Sequence, residues 1–318
     1  MVLLVTVAAT IVIGFVGCKE TGIEGPSEKT RAEKTRYGPE SLPGQIRPGE
    51  PKNTVYEQWP FDAREAKRRQ DETAESLRVP VEKRIDFGNG VRMEFILIPA
   101  GEFYMGSPGT EKDRHDNEGP IHQVRMSRSF YMSKYEVTQD QYLVVTGVNP
   151  SDFKEGTRPV ENVPWEDAVA FCKRLSDKHA ASFRLPTEAE WEYACRGGTQ
   201  TRFSYGDDPD YSQLGDYAWY LENSDSTTHS VGCKKPNAFG LYDMHGSVYE
   251  WCSDWYAAEQ YRQNPAVDPQ GPLSGQLRVC RGGSWYHIAG RCRSADRVTI
   301  PPDTQDCRIG FRVALDLE

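Results

Sequence analysis

An α+β domain of short, irregular elements is the fold class this sequence predicts, and three observations carry the expectation. Seven Trp, 16 Tyr and 12 Phe stand beside 28 Gly and 21 Pro, a load that suits a turn-rich fold better than a helical bundle. Helical periodicity is confined to a few capped stretches, and the remainder is short strands, turns and aromatic clusters. Strands and helices do not alternate as a parallel sheet would need, and no internal repeat is apparent.

Taken in order, the first folded elements are extended. Ile85-Asp86-Phe87 and Met93 to Ile98 read as strands joined by the hairpin turn Gly88-Asn89-Gly90. Phe95-Ile96-Leu97-Ile98 is an unbroken apolar run, hence a buried strand; Pro99-Ala100-Gly101 turns it, and Phe103-Tyr104-Met105 resumes extension. Thr138 and Gln141 form a capping box that opens a helix closed by Gly147. Pro164 suits a first helical position, and Trp165, Val169, Cys172 and Leu175 share one face behind it. A second capping box, Thr187 with Glu190, leads Trp191 and Ala194 inward until Gly197-Gly198 ends the helix. No helical period is expected after Gly198.

The chain has 318 residues, room for one large domain with a tail or for two ordinary domains. With 38 Lys and Arg against 47 Asp and Glu the net charge is −9, which excludes wrapping nucleic-acid phosphate or an anionic membrane surface. Val2 to Gly17 is apolar or small, too short for an ordinary spanning helix, and runs into Phe15-Val16-Gly17-Cys18. This resembles a bacterial lipoprotein signal, although no Lys or Arg precedes Cys18. The reading makes residues 1–17 a signal peptide and Cys18 the lipid attachment site of an exported protein anchored in the bacterial cell envelope. Residues 18–83 carry both charge signs and Pro26, Pro39, Pro43, Pro48 and Pro51, the composition of a tether. Within it Asp62 caps a helix from Ala63 to Leu77, ended before Pro80; its charged face reads as solvated. The folded domain is expected over residues 84–318.

Generic chemistry motifs are missing: there is no phosphate loop, dinucleotide fingerprint, nucleophile elbow or His-Glu-x-x-His. No Cys-x-x-Cys pair occurs, and setting Cys18 aside leaves an odd seven of the 8 cysteines, so at least one thiol is free or intermolecular. Cys172 and Cys195 read as buried small hydrophobes. His115 and His122 flank Asp116 and Glu118, but this spacing fits neither a helix face nor a tight metal loop, and the stretch reads as a solvated loop.

Longer motifs say more. Phe95 to Ser107 (Phe-Ile-Leu-Ile-Pro-Ala-Gly-Glu-Phe-Tyr-Met-Gly-Ser), Tyr135-Glu-Val-Thr-Gln139, Val160 to Phe171, Arg184 to Gly198, Asn237 to Trp251, Arg281-Gly-Gly-Ser-Trp285 and Gly310-Phe-Arg-Val313 occur in sequence. Together they resemble the sulfatase-modifying-factor domain of the formylglycine-generating enzyme over roughly residues 84 to 318. The resemblance implies a C-type-lectin-like α+β fold. It also implies one calcium ion, at positions matching Asp243, Gly246, Val248 and Glu250, where carboxylates and backbone carbonyls would make a hard oxygen site.

The family's oxidase chemistry uses two cysteines on copper(I), which turn a protein cysteine into formylglycine. Cys292 matches the second cysteine and Ser284 the serine of the Gly-Gly-Ser motif, whereas His287 stands in place of the first cysteine. The resemblance therefore implies Cys292 as copper ligand, His287 as co-ligand and Ser284 as a positioning hydroxyl, acting on a Cys-containing sulfatase-type peptide. Val313 and Arg297 occupy positions where partners for Cys172 and Cys195 would be expected, so the oxidase's disulfides are not implied. Residues 19–83 have no histidine, unlike the helical bundle of the related sulfoxide synthases. The competing reading is a non-catalytic lectin-like module, displayed on the lipid-anchored chain and presenting Tyr286, His287, Arg291 and Arg293 to a protein partner.

Overall fold

A computed structural model describes residues 52–262 and 266–317; the proposed leader, Cys18 and most of the expected tether lie outside the described residues. The elements run α1 (Ala63–Leu77), β1 (Glu82–Gly88), β2 (Val91–Ile98), β3 (Gly101–Met105), β4 (His122–Met126), β5 (Phe130–Ser133), α2 (Gln139–Thr146), α3 (Trp165–His179) and β6 (Phe183–Arg184). They continue through α4 (Glu188–Arg196), α5 (Leu214–Tyr217), β7 (Ala218–Trp219), β8 (His245–Gly246), β9 (Tyr249–Trp255) and β10 (Ala266–Val267). The last are β11 (Arg278–Arg281), β12 (Arg297–Ile300), β13 (Ile309–Gly310) and β14 (Ala314–Asp316). Short 3₁₀ turns cover Asp116–Glu118, Gln260–Arg262 and Ala289–Cys292.

The α+β expectation holds. One sheet has the order β1-β2-β5-β14-β6, a second β12-β11-β9-β13, and smaller ones β10-β4-β3 and β7-β8. The β1–β2 hairpin turns at Asn89 and Gly90, both at positive φ. Both capping boxes form, at Thr138 with Gln141 and at Thr187 with Glu190. Pro164 is the cap before α3 and not its first helical residue, and α5 is a four-residue helix where none was expected. All nine residues of α4 are buried, so that helix is core on every side.

The largest departure is at the N-terminal edge. Asp62 caps α1 as the sequence requires, its carboxylate accepting from Glu65 N at 2.9 Å, but the helix is not solvated. Ala66, Arg69, Gln70 and Thr73 are buried, and Gln70 Nε2 donates to Leu97 O and Phe239 O, both at 3.0 Å. Arg69 lies with its guanidinium carbon 4.0 Å from the centre of the Phe61 ring, so its charge is set on an aromatic face. Phe61 N donates to Gly198 O at 2.8 Å, and a Cβ on Gly198 (φ +106°) would come within 2.4 Å of the Phe61 ring. Upstream, Tyr56 bridges β3 at Gly101 and Asn53 Nδ2 donates to Ser127 O at 2.7 Å. The packed domain thus reaches back to Asn53, and the boundary expected at Arg84 is too late.

Gln70→Ala would strip two buried carbonyls of their donor. It is expected to lower unfolding stability by about 1–3 kcal/mol in urea titration, with an unchanged m-value.

Candidate functional site

The loop that follows β11 gathers the residues singled out in the sequence. Gly282 and Gly283 turn the chain at φ +98° and +82°, and a Cβ on Gly283 would come within 2.8 Å of both Cys292 Sγ and Arg291 O. The turn brings Ser284 Oγ 2.6 Å from His287 Nδ1, while the His287 ring meets Tyr249 edge-on at 4.9 Å. Trp285 fastens the start of the loop: its N donates to Ser247 O at 2.7 Å, its Nε1 to Cys307 O at 3.0 Å, and its O accepts from Ser224 Oγ at 2.8 Å. Outside this seat, Tyr286 is 51% and Ile288 60% exposed, beside Leu221, whose N donates to His287 O at 3.0 Å.

Cys292 is not open to this surface. It is fully buried and clustered with Phe203, Leu214, Ala218, Tyr220 and Ala289, and burial pushes its thiol well above the ordinary range. Beneath it His245 accepts from Ser204 N at Nε2 and holds Cys292 O at 2.8 Å through Nδ1. His287 is kept neutral, its imidazole lowered to about 4 by burial and by Arg308 and Arg291. No hydrogen bond joins it to Cys292; its bonded partner is Ser284. Soft copper(I) wants thiolate-rich ligation. One walled-in thiol and an imidazole committed elsewhere do not fit that ion. All seven cysteines among the described residues are free, Cys233 exposed.

Two expectations nearby are corrected. Arg293 is fully buried: its guanidinium grips Glu118 at 2.6 and 2.8 Å and Glu111 at 2.7 Å, so it presents nothing to a partner. Glu118, expected in a solvated loop, is equally buried. His115, Glu118 and Asp296 do bring donor atoms within 4.8 Å of one another. However, Arg293 occupies both Glu118 oxygens, and Arg291 and Arg293 lie 3.4 and 3.6 Å from Asp296 Oδ1. Two guanidinium groups already supply the positive charge a metal would bring. Asp296, absent from the sequence reading, is pushed up to about 7 by burial, with Oδ2 unpartnered, and Tyr249 Oη is also without a partner.

The residues matched to a calcium site are close in the fold, where Glu250 is held by an arginine and Asp243 stands by a second buried acid. Arg312 takes both Glu250 oxygens at 2.6 and 2.7 Å, and Trp191 Nε1 adds a bond at 2.6 Å, so Glu250 is already charge-paired and keeps one lone pair, on Oε1. The amides of Gly246 and Val248 donate to Gly282 O and to Glu136 Oε1. Asp243 accepts from Gly232 N at 2.7 Å, and its charge is felt by Glu136, a fully buried carboxylate that the sequence reading passed over inside Tyr135-Glu-Val-Thr-Gln139. Burial raises both acids, Asp243 to about 6 and Glu136 well above the carboxylate range.

A carboxyl raised in the folded state binds more protons than in the unfolded chain, so stability falls as pH rises from about 4 through 6. Asp243→Asn, which keeps an acceptor for Gly232 and tolerates the local φ of +57°, is expected to add ~1–3 kcal/mol at pH 8 and to flatten that slope. Thermal unfolding across pH checks this; a loss of stability instead would mean that a cation sits on Asp243.

The fold and the loop can be set beside known proteins. A sulfatase-modifying factor enzyme 1-like domain matches residues 88–317. The chain is similar to a formylglycine-generating enzyme of Streptomyces coelicolor, 31% identical over 287 residues, covering 70% of this chain and 89% of the enzyme. It is also similar to a chaperone protein LppX of Paenibacillus barcinonensis, 33% identical over 240 residues, covering 60% of this chain and 78% of the relative. Among solved structures, Treponema denticola variable protein 1 superposes with a TM-score of 0.69 at 35% identity, covering 75% of this chain and all of that one. With its motifs, its sheet order and this match over residues 88–317, the chain belongs to the sulfatase-modifying factor enzyme 1-like domain family.

Proposed function

We propose that this protein is a non-catalytic recognition module of the family, presenting the surface around Tyr286, Ile288 and Leu221 to a protein partner. The observation that carries the reading is the burial of Cys292, whose sulfur is walled by aromatic rings and by the Gly283 backbone. An oxidase of the formylglycine type must offer that sulfur to copper and to a substrate thiol. The exposed side suits contact: Tyr286, Ile288 and Leu221 all face solvent, and the Arg308 guanidinium carbon lies 5.3 Å from the centre of the Tyr286 ring. Relatives named as a chaperone and as a variable protein sit as naturally with this reading as the named enzyme does with the other.

The deciding experiment incubates the protein with copper(I), oxygen and a Cys-containing sulfatase peptide. No change in peptide mass is expected; a loss of about 18 Da at the cysteine, the thiol-to-aldehyde conversion, would establish the oxidase instead. In parallel, maleimide labelling of the native protein is expected to modify Cys233 rapidly and Cys292 only after denaturation. The double substitution Tyr286→Ser and Ile288→Ser is expected to leave stability within about 0.5 kcal/mol, since both side chains are exposed.

Export and lipid anchoring through Cys18 belong to the same proposal and rest on the Phe15-Val16-Gly17-Cys18 sequence. Cys18→Ser is expected to move the protein from the detergent phase to the aqueous phase in cloud-point partitioning.

A further inference from the structure

On the β9–β10 side of the fold lies a cleft of about 230 Å³ that neither the family chemistry nor the display loop uses. Its wall carries Asp254, from β9, and Glu188, from α4. The two acids stand differently. Glu188 is neutralised: Arg297 binds both its oxygens at 2.7 and 2.5 Å, and the Tyr261 hydroxyl donates to it at 3.3 Å. Asp254 has no such match. It is 4% exposed, its Oδ2 accepts from Glu188 N at 2.8 Å and Ser253 Oγ at 3.2 Å, and among the described residues no donor reaches Oδ1 and no cation pairs with it. A buried carboxylate left in that state is costly unless a ligand or proton completes it.

His122 lines the same cleft. Its Nδ1 lies 3.1 Å from Pro120 O, a carbonyl that can only accept, so the ring proton sits on Nδ1 and Nε2 offers a lone pair with no hydrogen-bond partner among the described residues. Asp254 Oδ1 and His122 Nε2 are thus open acceptors, the Tyr261 hydroxyl is committed to Glu188, and Gln260 adds an uncharged amide to the lining. Met105, Ala189, Ala266, Val267 and Pro269 give the lining its apolar surface.

We propose that this cleft binds a primary ammonium group carried on a short alkyl chain, its N–H donors shared between Asp254 Oδ1 and His122 Nε2. An ammonium brings three donors and the positive charge that Asp254 lacks, and its methylenes match the apolar lining. A carboxylate or phosphate would face unpaired negative charge. A metal is disfavoured because Asp254, Glu188 and His122 do not close to the spacing of the donor cluster seen elsewhere in the chain. Burial beside Glu188 pushes the Asp254 carboxyl up to about 7, the strain that a cationic ligand relieves.

Calorimetric titration with n-butylammonium chloride and with Nα-acetyl-lysine methylamide tests the site, with n-butanol as the neutral control. Saturable binding of an ammonium probe and none of butanol are expected, with Asp254→Asn weakening binding by about tenfold or more. Tighter binding of the lysine probe would identify a protein lysine as the occupant, and tighter binding of the free amine a small metabolite; both uphold the site. Because Asp254 also holds the first amide of α4, Val267→Trp at the half-exposed rim gives a second variant that fills the cleft without touching the acid. Wild-type affinity in Val267→Trp, or no heat from either ammonium probe, overturns the proposal, and the Val267→Trp result stands even if Asp254→Asn does not fold.

Discussion

Buried guanidinium–carboxylate pairs are what this fold depends on. Glu192 takes Arg196 at 2.8 Å and Arg281; Glu188 takes Arg297 at 2.5 Å; Glu118 takes Arg293 at 2.6 Å; Glu250 takes Arg312 at 2.6 Å. None of these side chains is more than 5% exposed. Their worth lies less in Coulomb energy, since desolvation offsets much of it, than in the rest of each arginine fork. Arg281 Nη1 also donates to Ala295 O and Asp296 O, Arg312 to Ser133 O and Tyr242 O, Arg293 to Gly290 O and Asp113 O, Arg196 to Thr201 O and Gly106 O. In a chain with short strands and long irregular connections, many buried carbonyls have no sheet ladder to satisfy them, and arginine forks do that work.

This constraint also shapes the loop after β11 and the ground beneath it. Arg281 ends β11 at the point where the double glycine turns, and its grip on Ala295 and Asp296 holds the far side of the same loop. Arg293 locks the centre of the loop to the turn at Glu118. With both limbs fixed, Cys292 is pressed inward against Phe203, Leu214 and Tyr220, and the imidazole of His287 is held half-buried beside Ser284. A serviceable copper site would require the loop to release that thiol, against several charge-assisted hydrogen bonds.

What could be read in the sequence was local, and what could not was long-range. The capping boxes at Thr138 and Thr187, the Asn89-Gly90 turn and the Asp62 cap are short-range chemistry, and each forms. The burial of α1 was not legible because a helix with mean character so charged reads as solvated; only the Phe61 ring and the carbonyls of Leu97 and Phe239 give Arg69 and Gln70 an interior to enter. Glu118 and Arg293 failed the same way, their partners standing 175 residues apart. At the site, the motifs placed Ser284, His287 and Cys292 in one loop, but the wall around Cys292 comes from residues 203 to 220, which carried no motif. Glu136 lay inside a quoted motif, and its burial depends on Ser247 and Val248, more than a hundred residues on.

Trp285 has a consequence of another kind. It anchors the loop with three backbone and indole hydrogen bonds and packs edge-on against Phe153 at 5.3 Å, while Tyr286 and Ile288 nearby are largely exposed. Such a division separates the chassis from its outward lettering: drift at the two exposed positions can rewrite what the surface attracts, generation after generation, while leaving the architecture beneath it intact.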